Sequence, residues 1–302
     1  MKKLSAPAFR RAGDFLRADA RPLDRALFAH EFEGAPLAPA LAALAAFRNE
    51  DGGFGHGLEP DLRMPGSSVL ATATALEHLR DLRRDSSDPM VRGGIAWLAG
   101  CFDPELGAWR NVGPEAESWP HAPHWGWEFH RDSSRWDHLL NPGSRVVALL
   151  SHWRDLAPQP LAGNFEKAFL AHVASLAPDA EVGVDSLYHS AEVENHDSRA
   201  KLCALAAKLV TRDPTAWTSY CVKPLRLAPL PDSPLAECLV SETAANLDWE
   251  IDQQGPDGAW QPNWTWQGGF PADWEVARRE WQGDLTLRTL RSLRAYGRIE
   301  GL

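Results

Sequence analysis

The sequence predicts an all-α fold, a closed (α/α)6 toroid of about twelve paired helices forming a single domain over residues 1–302. Three observations predict it. First, a turn motif recurs as Phe47-Arg-Asn-Glu-Asp-Gly-Gly-Phe-Gly55, Phe102-Asp-Pro-Glu-Leu-Gly-Ala-Trp109 and Gln253-Gln-Gly-Pro-Asp-Gly-Ala-Trp260. Second, the copies are regularly spaced: 54 residues separate Gly53 from Gly107, and 151, close to three more such steps, separate Gly107 from Gly258. A period of about 50 residues in a helical chain signals stacked helix pairs. Third, apolar residues between the turns recur at helical spacing, without strand-like alternation. A closed ring has no ends to cap, whereas an open solenoid needs polar terminal repeats.

The elements follow in order. Leu23, Leu27, Phe28 and Phe32 share one stripe of a first helix over 20–32. The Ala-rich run 40–47 has high helix propensity and ends at the first turn. A Pro-punctuated loop, 58–65, leads to Ser67 and Ser68, either of which can cap a helix carrying Leu70, Ala73, Leu76 and Leu79. Pro89 opens the next helix, which stops near Cys101. Residues 110–141 are rich in Pro, Gly, Trp and His and lack periodicity; a loop of this length is functional or disordered, and its aromatic content opposes disorder. Helices are expected again at 142–153, 164–176, 198–210, 215–222 and 235–254, then a short one at 274–279 and a last at 285–296.

Composition bounds the function. A net charge of −10 and a pI near 5.6, without a basic stripe, exclude nucleic acid as the expected partner and oppose an electrostatic membrane anchor. No run approaches the roughly 18 apolar residues of a spanning helix, and the first residues lack the apolar core of a secretion signal. Cys101, Cys203, Cys221 and Cys238 form no C-x-x-C and suit reduced, buried positions in a cytoplasmic protein. Arg80 to Arg84 alternates with acids, as a solvated helix face does. Of the 14 tryptophans, eleven fall within 109–153 and 260–281, which scattered core residues would not do.

The turn motifs resemble the QxxDGGW-type repeats of the terpenoid cyclase and protein prenyltransferase superfamily, Asn49 to Phe54 and Gln254 to Trp260 being the better copies. Glu50 to Asp61, Trp119 to Trp125, Gln261 to Trp266 and Trp281 to Leu287 are more specifically similar to bacterial prenyltransferase-like repeat proteins of about 300 residues. The resemblance implies an (α/α)6 barrel around a cavity. Its chemistry does not carry over: the Asp-x-Asp-Asp of protonating cyclases, the Asp-x-Cys zinc motif and the Asp-Asp-x-x-Asp of ionising synthases are missing.

Several residues are candidates for a site. Glu59 and Asp61 follow the first turn, and a carboxylate beside apolar walls can be held protonated as a general acid; Asp61 bonding loop amides and Glu59 pairing with Arg63 is the structural alternative. His121 can pass protons near neutrality, and with Glu59 and Asp61 it makes the expected catalytic set. His56, Trp119, His124, Trp125, Trp127, Asn263, Trp264 and Trp266 are expected to line the substrate, tryptophan faces attracting cations or stacking on sugars; a plug filling the barrel mouth is the alternative for 119–127. Glu128, His130, Asp137 and His138 are expected to face solvent, and Trp260 to pack under the next repeat. His189, Glu192, Glu194, His196 and Asp197 offer ligand types but no metal motif and are expected to be helix-surface charges, so no metal and no cofactor is expected. The first function expected is a terpenoid cyclase-like or prenyltransferase-like protein holding a small hydrophobic molecule, with acid-initiated chemistry. The alternatives are a carbohydrate-active α/α barrel enzyme and a toroid that binds or scaffolds without chemistry.

Overall fold

The computed structural model describes residues 1–132, 136–193, 198–267 and 269–302. Helices carry the fold, and the only strand-like pairings among the described residues are isolated bridges. In chain order the helices are α1 (Ala6–Ala18), α2 (Pro22–Glu33), α3 (Ala38–Ala45), α4 (Val69–Asp81), α5 (Pro89–Gly100), α6 (Trp127–His130), α7 (Gly143–His152), α8 (Leu161–Ser175), α9 (Val184–Val193), α10 (Arg199–Leu209), α11 (Val240–Asp252) and α12 (Pro271–Ala295). Short 3-10 turns lie at Pro114–Ser118, Pro123–Trp125, Pro214–Thr218, Pro224–Arg226 and Ala236–Cys238.

Contacts divide the chain into two compact units, one formed by residues 1–46 with 206–302, the other by 47–205. In the first unit α1, α2 and α12 pack on one another and α2 also on α3. Their common core holds Leu16, Leu23, Leu27, Phe28, Leu287 and Leu290, all buried. The phenylalanines of the first two helices cluster, Phe28 stacked on Phe32 at 5.3 Å between centroids and Phe9 tilted against both. Leu4 pairs with the segment after α12, its amide donating to Arg298 O at 2.7 Å and its carbonyl accepting from Glu300 N at 3.0 Å. In the second unit α4 packs on α5 and α7, and α7 on α8 and α9. Leu76, Leu79, Ile95, Leu98, Val146 and Phe169 fill the core between them.

The three turns share one construction. Each has a glycine in the left-handed region, Gly52, Gly107 and Gly258, so the equivalent residue of the first copy is Gly52 and not its neighbour Gly53. An aspartate ties each turn: Asp51 accepts from Gly53 N at 2.9 Å, Asp103 from Glu105 N at 3.0 Å, and Asp257 from Ala259 N at 3.1 Å. The aromatic residue that follows is buried in all three. Trp109 Nε1 donates to Leu98 O at 2.6 Å and Trp260 Nε1 to Glu250 O at 2.9 Å, so each indole satisfies a carbonyl at the end of the preceding helix. Glycine is required sterically as well as by φ at Gly258, where a Cβ would stand 2.4 Å from Arg11 O.

Several expectations are corrected. The helix α1 was not expected; Ser5 caps it, accepting from Ala8 N, and Pro7 occupies its first turn. The two short helices expected at 274–279 and 285–296 are one continuous helix, α12, because Gly283 packs directly against α2 instead of breaking the helix. The segment expected as a helix at 215–222 makes only the 3-10 turn Pro214–Thr218. Cys101 and Cys221 are free thiols as expected, though half-buried, whereas Cys203 and Cys238 are not free thiols. No described helix is long and apolar enough to cross a membrane.

Candidate functional site

The site is built in the second unit, where the loop after the first turn meets the Trp- and His-rich segment. Arg63 N donates to Pro120 O at 2.9 Å and Ala122 N to Asp61 O at 2.8 Å, and Leu62 and His121 form an antiparallel bridge. Residues 61–63 and 120–122 are thereby zipped side by side, Leu62 opposite His121 and Asp61 opposite Ala122, with Glu59 two residues before Asp61. Beneath the strap, Leu62, Met64, Leu70, Val112 and Ala116 form a buried cluster against which Trp125 packs. The strap is anchored by apolar burial, which Asp61 shares, while His121 is half-buried.

Asp61 is 3% exposed, and Glu59 and His121 are half-buried. His121 Nδ1 lies 2.7 Å from Trp119 O, a carbonyl to which the ring N–H donates. His124 is exposed, yet the atoms packed around its ring hold its pKa below the ordinary value; the Asp61 charge opposes this, His121 reinforces it, and Asp185 opposes it. His56 lies apart from this pair: it sits in the left-handed region at φ 55 and its Nε2 is 2.8 Å from Asn49 Oδ1, which fixes the turn. Trp119 is 41% exposed and offers an open indole face. Trp127 is half-buried, with the Arg110 guanidinium 6.0 Å from its ring centre.

Beside the strap, α4, α7 and α9 present a chain of charged groups that the sequence did not single out as a site. Arg145 grips Glu77 through both Nε, at 2.7 Å, and Nη2, while Nη2 also donates to Thr74 Oγ1 at 2.9 Å. Glu77 Oε1 lies 3.3 Å from His189 Nε2; His189 Nδ1 lies 2.8 Å from Glu192 Oε2; Glu192 Oε1 lies 3.2 Å from Arg80 Nη1. Burial alone would raise the Glu77 pKa, but Arg145, then His189 and Arg80, hold it down at about 2. Burial and the Glu192 charge push the Tyr188 hydroxyl well above its ordinary value. The Arg145 charge is felt by Glu77 first and by Glu59 and Asp185 next, which links this chain to the strap. Arg145 Nη1 has no hydrogen-bond partner among the described residues.

These observations correct two readings. Arg80 is not on a solvated face but ion-paired and mostly buried, and His189 and Glu192 are bonded into the same chain. Glu194, His196 and Asp197 lie outside the described residues. A signal for Glu77 was present: it follows Leu70 by seven and Ala73 by four, so it falls on the apolar stripe of its own helix. His130 and His138 are buried, at 0% and 4% exposure, and do not face solvent, whereas Glu128 and Asp137 do. His130 lies between Trp125, stacked at 5.7 Å, and Trp136 at 4.4 Å, and burial lowers its pKa to about 4.

The remaining candidates belong to the first unit. Asn263 Nδ2 donates to Trp217 O at 3.3 Å and Ser219 O at 2.7 Å, which ties two loops together. Trp264 packs edge-on against Trp281 at 5.1 Å, and Trp266 is 1% exposed. Trp260 is 3% exposed, as expected. Trp125 and Trp266 are therefore packing residues in their own units rather than open walls. Two hollows are also present: one of about 440 Å³ beside Phe102, Leu161 and Phe165 in the second unit, and one of about 370 Å³ beside Arg21 and Arg279 in the first. Neither is lined by a residue expected at a site.

The chain matches no protein-family model, and no curated protein matches it. Among solved structures it is similar to a protein from Actinoplanes, with a TM-score of 0.54 and 18% identity over 97% of this chain and 99% of that one. At that identity the likeness shows a shared fold and nothing of the activity.

Proposed function

We propose that the second unit binds a hydroxyl-rich small molecule of the carbohydrate class and acts on it by proton transfer. The pairing of 61–63 with 120–122 carries this reading, because it puts carboxylates, an imidazole and an open tryptophan face on one strap. A sugar hydroxyl is donor and acceptor at once. Arg145 Nη1 supplies an N–H, and the acids that feel its charge, Glu59 and Asp185, supply acceptors. Glu59, the less buried of the strap carboxylates, acts as the acid or base, His121 Nε2 shuttles the proton, and Asp61 holds the strap. Trp119 provides the platform on which a ring stacks.

The closed (α/α)6 toroid expected from the repeat belongs to this proposal. The terpenoid cyclase-like reading, with a small hydrophobic molecule in an aromatic-lined barrel, takes second place: it is favoured by the repeated turns, but two of its lining tryptophans are already packed.

The test is titration of intrinsic tryptophan fluorescence with neutral oligosaccharides, and separately with prenyl diphosphates and squalene-like polyenes. The expected outcome is a saturable response to an oligosaccharide, weakened at least about ten-fold, or ~1.4 kcal/mol, in Trp119→Ala. Glu59→Gln is expected to retain binding and lose turnover. A response to isoprenoids with none to sugars would overturn the proposal in favour of the second reading.

A further inference from the structure

A second feature lies in the first unit and is independent of the strap. Asp24 of α2 is 0% exposed and Asp284 of α12 is 4% exposed. Asp24 Oδ2 accepts from Arg21 Nε at 2.7 Å, but Oδ1 has no hydrogen-bond partner among the described residues. An ionised carboxylate buried with one oxygen unsatisfied is costly, and the ordinary resolution is to take up a proton. The two helices meet closely here: a Cβ on Gly283, the neighbour of Asp284, would stand 2.7 Å from Asp24 Oδ2 and 3.1 Å from Ala20 Cβ. Only glycine lets α12 approach this carboxylate.

The surrounding charges do not neutralise the pair completely. Arg21 and Arg291 favour the charged form of Asp24, while burial, the largest influence, and the Asp284 charge oppose it. Asp284 Oδ2 has Arg288 Nε at 2.8 Å, but without hydrogen-bond alignment, and Arg288 is half exposed. Glu280, one turn earlier on α12, is felt by Arg21 and competes for its charge. The other helices packed on α2 add little. No residue of α3 is ionisable, and on α1 Arg17 is occupied by Asp14 and Glu33.

We propose that Asp24 and Asp284 form a buried proton-binding site that makes the docking of α2 on α12 pH-dependent. One proton from solvent adds to Asp24 as the helices dock, and it leaves when the pH rises. Arg21 connects the site to the neighbouring hollow, since it bonds Asp24 and also lines that cavity with Asp19, Glu275, Arg279 and Glu280. The sign follows from linkage. Burial brings Asp24 up to about 6 from an ordinary 3.8, so the docked state binds more protons than the unfolded chain between those values. The stabilisation is complete below pH 3.8 and is lost as the pH rises through about 6.

The experiment is denaturant unfolding of the full chain from pH 4 to 7, wild type against Asp24→Asn, whose amide keeps the shape without titrating. The unfolding equilibrium constant of the wild type is expected to rise about a hundred-fold relative to the variant across this range. Asp284→Asn, which removes the neighbouring charge, is expected to move the transition to lower pH. Parallel pH profiles for wild type and Asp24→Asn would overturn the proposal. Should Asp24→Asn fail to fold, carbon NMR of the assigned Asp24 carboxyl in the wild type decides the matter. A midpoint near 6 supports the site, and one below 4 rejects it.

Discussion

His130 shows how much a single position depends on surroundings that sequence does not display. Its ring stacks at 16° to Trp125, its Nε2 lies 3.1 Å from His124 O, and it is fully buried. Burial lowers its pKa to about 4, so the folded state resists a proton that the unfolded chain accepts. Its contribution is present above the ordinary histidine value of about 6.5 and is lost as the pH falls through about 4, a change of up to about 3 kcal/mol. Replacing His130 with Phe keeps the stack and removes the titration, and should flatten that limb of a denaturation series; an unchanged slope would mean the ring is not the responsible group. Asp24 acts with the opposite sign over nearly the same range, so the wild-type profile underestimates both. At this scale Glu59, Asp61 and His121 were legible, because each stands beside a turn or in a long aromatic loop. Glu77, Arg145 and Asp284 were not, because a charge on an apolar stripe looks like imperfect patterning until its partner on another helix is known.

Among the elements, α12 departs furthest from its local sequence signals and the turns follow theirs most closely. The run Trp281-Gln-Gly-Asp-Leu-Thr-Leu287 carries a glycine and an aspartate, the usual signs of a helix stop and a new cap. Packing overrides both signs: Gly283 meets Asp24 and Ala20, and Thr286 turns its hydroxyl to accept from Trp260 N at 3.0 Å. Gly283→Ala therefore sets two effects against each other. Helix propensity favours alanine by about 1 kcal/mol, while crowding at a tight contact costs about 1–3 kcal/mol. The contact at 2.7 Å is to a short, ion-paired side chain with little room to yield, so net destabilisation is expected in urea unfolding. A gain in stability would show that the helices can part without penalty. The turns were legible because their chemistry is local: an aspartate, a left-handed glycine and an indole aimed at the helix just completed.

For the molecule as a whole, the period predicted helix pairs, and the fold is helical and shared across nearly its full length with the Actinoplanes protein. Nothing along the sequence marks one unit as discontinuous, because composition does not change at residue 46 or 206 and the pairing of Leu4 with Ile299 is non-local. That discontinuity has a consequence during synthesis. A ribosome making some 5–20 residues per second needs roughly 10–50 s to pass from residue 46 to 295, and only then can α1 and α2 meet α12. For that interval the Leu23, Leu27 and Phe28 faces wait without their final cover, while α4, α5, α7, α8 and α9 all lie within 47–205. Nascent chains stalled after residue 205 should be cut by protease within 1–46 and resist it within 47–205; equal resistance of the two would show that the first helices do not wait. The order of synthesis thus leaves α1 and α2 uncovered until α12 is made, and gives that pair the need of a chaperone's shelter.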